Sequence, residues 1–202
     1  MSEIMQEIET VHAFNIGVRN REIYLYSFPS EEGSGVDFRM AQMFIKNMNI
    51  LEASSKKPIL IHMYSPGGSW FDGLAIFDRI KASKCDTEIV VHGYAESMSG
   101  IILQSAKRRT MSKNSYFMLH YGSDGKEADT LSFKNYAHFV DGQCEKMFDI
   151  YAERCVNGAF FKQKQYTVEK TKIFLKRKLK SGDWYLSAED ALKYGFIDGI
   201  NG

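Results

Sequence analysis

From residue 22 onward the apolar positions switch repeatedly between a period of two and a helical period. Glu22–Tyr26 (EIYLY) alternates as a strand does, and residues 37–53 carry Met40, Met43, Phe44, Ile50 and Leu51 at roughly helical spacing. Residues 58–64 (PILIHMY) form a β-rich run closed by Ser-Pro, residues 71–80 return to helical spacing, and residues 88–92 (EIVVH) predict another strand. A helix follows over 97–107, a short strand at Tyr116–Leu119, one long helix over 131–156 and another over 167–180 that Gly182 stops. Ser187 and Asp190 form a capping box for a last helix ending near Gly195. Strands alternating with helices predict stacked, parallel βαβ units, an α/β fold, with a long helix beside the sheet. No element is predicted before residue 22, and no linker, repeat or low-complexity stretch divides the chain.

Composition adds bounds to this picture. The 202 residues suit one domain, with residues 1–20 as a separate segment and 21–202 as the domain. Twenty-six Lys and Arg against 25 Asp and Glu leave a formal charge of +1, which speaks against a nucleic-acid partner. Residues 162–180 hold eight basic side chains and one acidic, and they read as a solvated helix face. Three cysteines, Cys85, Cys144 and Cys155, make neither a disulfide framework nor a zinc spacing and point to a reducing compartment. Cys144 and Cys155, eleven apart on one helix, share a face and read as packing. The first ten residues lack the pattern of a signal peptide, and no apolar run is long enough for a membrane span. A cytoplasmic location is expected; plastid stroma or a host cytoplasm are variants that a family resemblance described below implies.

Two strand-to-helix junctions can carry chemistry. After PILIHMY comes Ser65-Pro66-Gly67-Gly68-Ser69, where two glycines allow a tight turn that presents bare N–H groups; a plain turn explains the glycines equally. After EIVVH, Ser97 is flanked two residues away on each side by Ala95 and Ser99, a looser form of the elbow that exposes a nucleophilic hydroxyl. The N–H of Met98 would then face an anion on the attacked carbonyl. A simple helix N-cap is the competing use of Ser97. A serine nucleophile needs a base. Among His12, His62, His92, His120 and His138, only His120 ends a strand and opens a loop, where catalytic groups tend to sit. Asp183, just after Gly182, can orient that imidazole, in competition with Asp124, Asp129, Asp190 and Asp198.

The motifs then converge. Ser65 to Ser69 with Gly-Leu-Ala-Ile-Phe-Asp at 73–78, Gly-Tyr-Ala-Glu-Ser-Met-Ser at 93–99, Phe-Met-Leu-His ending at His120, and Tyr-Leu-Ser-Ala-Glu-Asp-Ala-Leu-Lys-Tyr-Gly-Phe-Ile-Asp ending at Asp198 occur in one order. Together they resemble the Clp protease proteolytic subunit, ClpP, from about residue 21 to the end. The resemblance implies the fold shared with crotonases, with a projecting helix-strand handle at 122–128 and 131–156. It implies a Ser97, His120 and Asp183 triad with oxyanion donors at the Gly68 and Met98 N–H groups. It also implies a serine endopeptidase working on unfolded polypeptides without metal or cofactor, in heptameric rings stacked in pairs. An ATP-driven AAA+ unfoldase would feed the chamber, since the chain has no Walker A motif of its own. Residues 1–20 would correspond to an axial loop.

Departures mark a divergent member, with viral or plastid types as variants. Glu96 stands where a small residue is usual, placed to raise the His120 pKa if buried beside it or simply to face water. Ser99-Gly100 replaces Gly-Ala, residues 104–109 are shortened, and Tyr121-Gly122 replaces Gln-Pro. The alternatives are a non-catalytic ring subunit, a crotonase-type acyl-CoA enzyme and a capsid-maturation protease. An α/β-hydrolase has its triad in the order Ser, acid, His, unlike this chain.

Overall fold

The computed structural model describes residues 2–26 and 35–202; Met1 and residues 27–34, Pro29 among them, lie outside the described residues. In chain order the elements are α1 (Glu3–Phe14), β1 (Ile16–Gly17), β2 (Glu22–Tyr26), α2 (Phe38–Ser54), β3 (Ile59–Ser65), α3 (Trp70–Lys81), β4 (Thr87–Glu96) and α4 (Met98–Leu103). They continue with β5 (Arg108–Ser112), β6 (Tyr116–Leu119), α5 (Thr130–Cys155), α6 (Ala159–Gln163), α7 (Val168–Leu179), β7 (Trp184–Ser187), α8 (Ala188–Lys193) and β8 (Gly199–Asn201). Helix α1 occupies much of the segment for which the apolar spacing predicts no element. Ser2 caps it by accepting from the Met5 N–H, and Asn15 ends it in the left-handed region. Its apolar side is largely open, with Ile4 66% and Ile8 46% exposed.

Strands β2, β3, β4, β5 and β8 run parallel in that spatial order, and β1 adds antiparallel to β2. Strand β4 does two jobs. Its first half, through Val91, pairs with β5; its last residues, Tyr94 to Glu96, pair with β6, to which β7 adds antiparallel. The change of partner falls at Gly93, whose φ of 71° suits glycine. A Cβ at this position would lie 2.4 Å from the Tyr64 ring. The branch β4–β6–β7 carries the strand ends at which Ser97, His120 and Asp183 sit.

One face of the sheet is the core. Ile23, Leu25, Ile59, Ile61, Met63, Ile89 and Val91 join Met40, Phe44, Met48 and Leu51 of α2 and Ile76 and Ile80 of α3 in one buried cluster. Burial contributes about 1.5–3 kcal/mol for each large side chain. The other face carries the alternate positions Tyr24, Tyr26, His62, Tyr64, His92 and Tyr94, whose rings contact one another in a chain. The sheet thus follows strand alternation, hydrophobic inward and aromatic or polar outward.

Several differences from the periodicity have physical causes. Residues 97–107 do not form one helix: α4 is six residues long and wholly buried, and the chain turns after Gln104 into β5. Strand β5 (RRTMS) reads as polar, yet Arg109 is only 3% exposed. Its guanidinium donates to the Asp198 carboxylate, Gln104 Oε1 and Gly195 O, which tie β5 to the C-terminal segment. Among the described residues, 120–129 contain no strand, so the handle of the single chain is coil followed by α5. Helix α5 is exposed at Leu131, Phe133 and Phe139 and buried at Met147, Phe148, Tyr151, Ala152 and Cys155. The basic run is partly paired: Lys172 and Lys176 of α7 meet Glu145 and Asp149 of α5.

Glu52 of α2 shows how the helices are tied to the loop before β4. Its carboxylate is 14% exposed and accepts from Arg79, the Ser83 hydroxyl and the Lys84 N–H. Desolvation favours the neutral acid, but these hydrogen bonds outweigh it and hold the pKa down to about 2. A carboxyl depressed in the folded state stabilises above its unfolded pKa of about 4.3, and this stabilisation is lost as pH falls toward about 2. Glu52→Gln is expected to cost up to about 3 kcal/mol at neutral pH. Urea denaturation should show the gap to wild type narrowing with acidity; a gap that stays constant with pH contradicts this account.

Candidate active site

Ser97 follows β4 directly and takes φ 52° and ψ −122°, a conformation that costs a residue with a Cβ. Its N–H is tied to Met118 O at 2.9 Å, which extends the β4–β6 ladder by one step and fixes the turn. Its side chain makes no capping bond to α4, so the N-cap explanation of this serine does not hold. Instead Ser97 Oγ stands 2.7 Å from His120 Nε2. His120 is the first residue after β6, and Asp183 the last before β7. Because β6 and β7 are antiparallel with Leu119 opposite Trp184, continuing the register by one step sets His120 opposite Asp183. Asp183 Oδ1 lies 3.6 Å from His120 Nδ1, longer than a hydrogen bond, with the carboxylate about half exposed. Catalytic hydrogen bonds are often long in unliganded enzymes and shorten with substrate in place.

The glycine turn reaches the same point. Gly67 has φ 95° and Gly68 φ 144°. A Cβ on Gly67 would lie 2.7 Å from Ser97 Cβ and 2.8 Å from Met98 N, so the turn is in contact with the serine elbow. Val36 secures it from the other side, donating to Gly67 O at 2.6 Å and accepting from the Ser69 N–H at 2.8 Å. Underneath, Ser99 Oγ and Ser65 Oγ are 2.7 Å apart, and Ser65 Oγ accepts from the Gly67 N–H. Among the described residues the N–H groups of Gly68 and Met98 have no protein acceptor. Both residues border one cleft of about 710 Å³ together with Ser97 and His120.

The structure therefore brings together Gly68, Ser97, Met98, His120 and Asp183. It does not bring in the other histidines of the strands: His62 Nδ1 lies 3.0 Å from His92 Nε2, and burial pushes the His62 pKa down while Glu22 opposes it. The competing acids have other partners: Asp198 is engaged by Arg109, Asp129 caps α5, Asp124 bonds the Tyr136 hydroxyl on the cleft's rim, and Asp190 lies 4.0 Å from Lys193 Nζ. Glu96 is half-buried and does not line the cleft; behind desolvation and the Tyr64 hydrogen bond, it helps push the Tyr94 phenol pKa up. Cys155 is fully buried, as a packing cysteine should be, whereas Cys144 is half-buried in the cleft wall. The inner cleft is what the motifs do not reveal. It is lined from α5 by Val140, Gln143, Cys144, Met147 and Tyr151, whose three- and four-residue spacing marks one helix face without saying what that face meets. Among the described residues no group of His, Cys, Asp or Glu is arranged to hold a metal ion, and no helix is long and apolar enough to cross a membrane.

Comparison with known proteins gives the family. The family model for Clp protease matches residues 18–202. The chain is 28% identical over 171 residues to the ATP-dependent Clp protease proteolytic subunit of Deinococcus radiodurans, a match spanning 83% of this chain and 77% of that protein. Clp proteases are peptidases that generally form oligomeric rings with Clp ATPases. With residues 18–202 of the 202 matched by the family model, this chain belongs to the Clp protease family, as a divergent member.

Proposed function

We propose that the chain is a serine endopeptidase whose nucleophile is Ser97, whose general base is His120 and whose orienting acid is Asp183. The observation that carries this reading is the 2.7 Å approach of His120 Nε2 to Ser97 Oγ beside two main-chain N–H groups that have no protein acceptor among the described residues. His120, neutral at Nε2, takes the hydroxyl proton as Oγ attacks a peptide carbonyl. The Gly68 and Met98 N–H groups receive the oxyanion of the tetrahedral intermediate. His120 then protonates the leaving amine, and a water activated by the same nitrogen hydrolyses the acyl-enzyme and restores Ser97.

Substrates are unfolded polypeptides that enter the cleft in extended form, without metal or cofactor. In this reading copies of the chain assemble as heptameric rings stacked in pairs. The exposed Leu131, Phe133 and Phe139 of α5 supply apolar surface for such contacts. An AAA+ unfoldase delivers the substrate, and the complex works in the cytoplasm. The 3.6 Å gap between His120 and Asp183 also favours a second reading, a ring subunit that assembles without turning over. Hydrolysis of short fluorogenic peptides, read beside fluorophosphonate labelling and solution mass, separates the two. Labelling at Ser97 with hydrolysis supports the peptidase; rings that neither label nor cleave support the non-catalytic subunit.

A further inference from the structure

On the outward face of the sheet three groups that the peptidase chemistry does not use lie in a row. His62 of β3 has Nδ1 3.0 Å from Nε2 of His92 on β4, and its other nitrogen, Nε2, lies 3.9 Å from Oε1 of Glu22 on β2. The rings are held in place. Tyr24 stacks on His62 with centroids 4.9 Å apart and planes at 13°, and the two imidazoles lie at 5.3 Å and 23°. The Tyr24 hydroxyl donates to the second oxygen of Glu22 at 2.9 Å. The side chains of His62 and Glu22 are 18% and 23% exposed, so the row is shielded but open to protons from the solvent.

The other titratable and charged groups facing this row leave the histidines to respond. Burial pushes the phenols of Tyr26 and Tyr94 up, and burial with the Glu22 bond pushes Tyr24 up to about 12, so these groups stay neutral in acid. Tyr64 bonds Tyr94, Glu88 of β4 lies 3.6 Å from Arg108 of β5, and Glu7 of α1 adds its charge near Tyr24.

Two imidazoles 3.0 Å apart have room for one proton between their facing nitrogens. With Nε2–H of His62 turned to Glu22, Nδ1 of His62 accepts from the His92 Nε2–H. A first added proton goes to His92 Nδ1, at the far end, and leaves that bond intact. A second must go to His62 Nδ1. It sets N–H against N–H and brings two like charges into contact, while Glu22 faces the far nitrogen of His62 and does nothing for His92.

We propose that His62 and His92 are a proton sensor built into the sheet: the imidazoles stay bonded with one added proton and part with two, which removes a contact between β3 and β4 just ahead of the Gly93 branch that leads to Ser97. The sign of the effect follows from the surroundings. Burial pushes the His62 pKa down, Glu22 opposes it, and the charge of His92 adds to the lowering. A base whose pKa is lowered by folding is protonated more readily in the unfolded chain. Its stabilisation is therefore full above the unfolded value of about 6.5 and is lost as pH falls below it. Acid weakens the fold through this pair.

The test follows the slow exchange of each imidazole C2 hydrogen by mass spectrometry on the full chain, which gives the titration of every histidine separately. In wild type His92 should titrate first and His62 in a distinct step at lower pH, as a coupled pair does. Glutamine at residue 92 keeps a hydrogen-bonding partner for His62 but carries no charge, so in His92→Gln the His62 step should move up. In Glu22→Gln it should move down. Between about pH 7 and about pH 5 the urea midpoint should fall further in wild type than in His92→Gln. Titration of both histidines in one step, or a His62 step that His92→Gln does not raise, overturns the proposal. So does an equal loss of stability with acid in wild type and His92→Gln. If His92→Gln does not fold, the order of the two wild-type steps and the shift in Glu22→Gln decide.

Discussion

Replacing Ser97 by alanine should lower kcat on a short fluorogenic peptide by roughly 10⁴–10⁶ while leaving the assembled mass unchanged. In the proposed mechanism Oγ is the atom that becomes acylated, and it stands 2.7 Å from His120 Nε2. Residual catalysis would come from the amide donors and binding alone. The same position separates catalysis from stability. Ser97 is held at φ 52° and ψ −122°, a conformation that alanine finds as costly as serine does and glycine finds easy. Ser97→Gly should therefore raise the melting temperature although it is just as inactive, and Ser97→Ala should leave it nearly unchanged. Activity retained at more than a few per cent in purified Ser97→Ala would remove this serine from the nucleophile's role. A Ser97→Gly chain less stable than Ser97→Ala would show that the elbow stores no strain.

Gly67→Ala is the second large effect, and it acts through the backbone. A methyl at residue 67 would lie 2.7 Å from Glu96 O and Ser97 Cβ and 2.8 Å from Met98 N, at a φ of 95° that alanine rarely adopts. Main chain surrounds it on the side of the serine elbow, so the turn has to move. In the proposed mechanism any such movement shifts the Gly68 N–H away from the place of the oxyanion. Loss of one such donor costs about 10²–10³ in kcat, and the strain costs roughly 2–3 kcal/mol of stability. Slow labelling of Ser97 by fluorophosphonate should survive in folded Gly67→Ala, because Ser97 and His120 remain in contact. Gly182 is the control: it also has a positive φ, of 106°, but no atom lies within 4 Å of its added Cβ. Gly182→Ala should cost stability through backbone strain alone and much less activity than Gly67→Ala. Equal kinetic losses at both positions would mean that contact with the elbow is unimportant.

Much of the architecture is legible because local physics and the fold agree. Strands β2, β3 and β6 and helices α2, α3, α5 and α7 stand within a residue or so of where apolar spacing puts them. The elements that escape are those whose side chains find their partners far along the chain. Strand β5 looks polar until Arg109 meets Asp198, 89 residues later, and β7 and β8 are short strands that exist by pairing with β6 and β5. Helix α1 is missed although Ile4, Ile8 and Val11 recur at helical spacing; its apolar side is left largely uncovered. At the site, Ser97 and His120 are legible as exceptional residues at strand ends. Asp183 is one of several acids by spacing, and family resemblance rather than periodicity selects it.

By itself the sequence determined the class of fold, the two glycine- and serine-bearing turns and the residue types able to perform acyl transfer, because those follow from local periodicity and side-chain chemistry. Only the tertiary structure decided which acid lies nearest the histidine, that Glu96 stays out of the cleft, and that one face of α5 lines its inner wall. These outcomes depend on strand order and on how β4 divides at Gly93 between β5 and β6, hence on through-space neighbours that one-dimensional spacing does not encode.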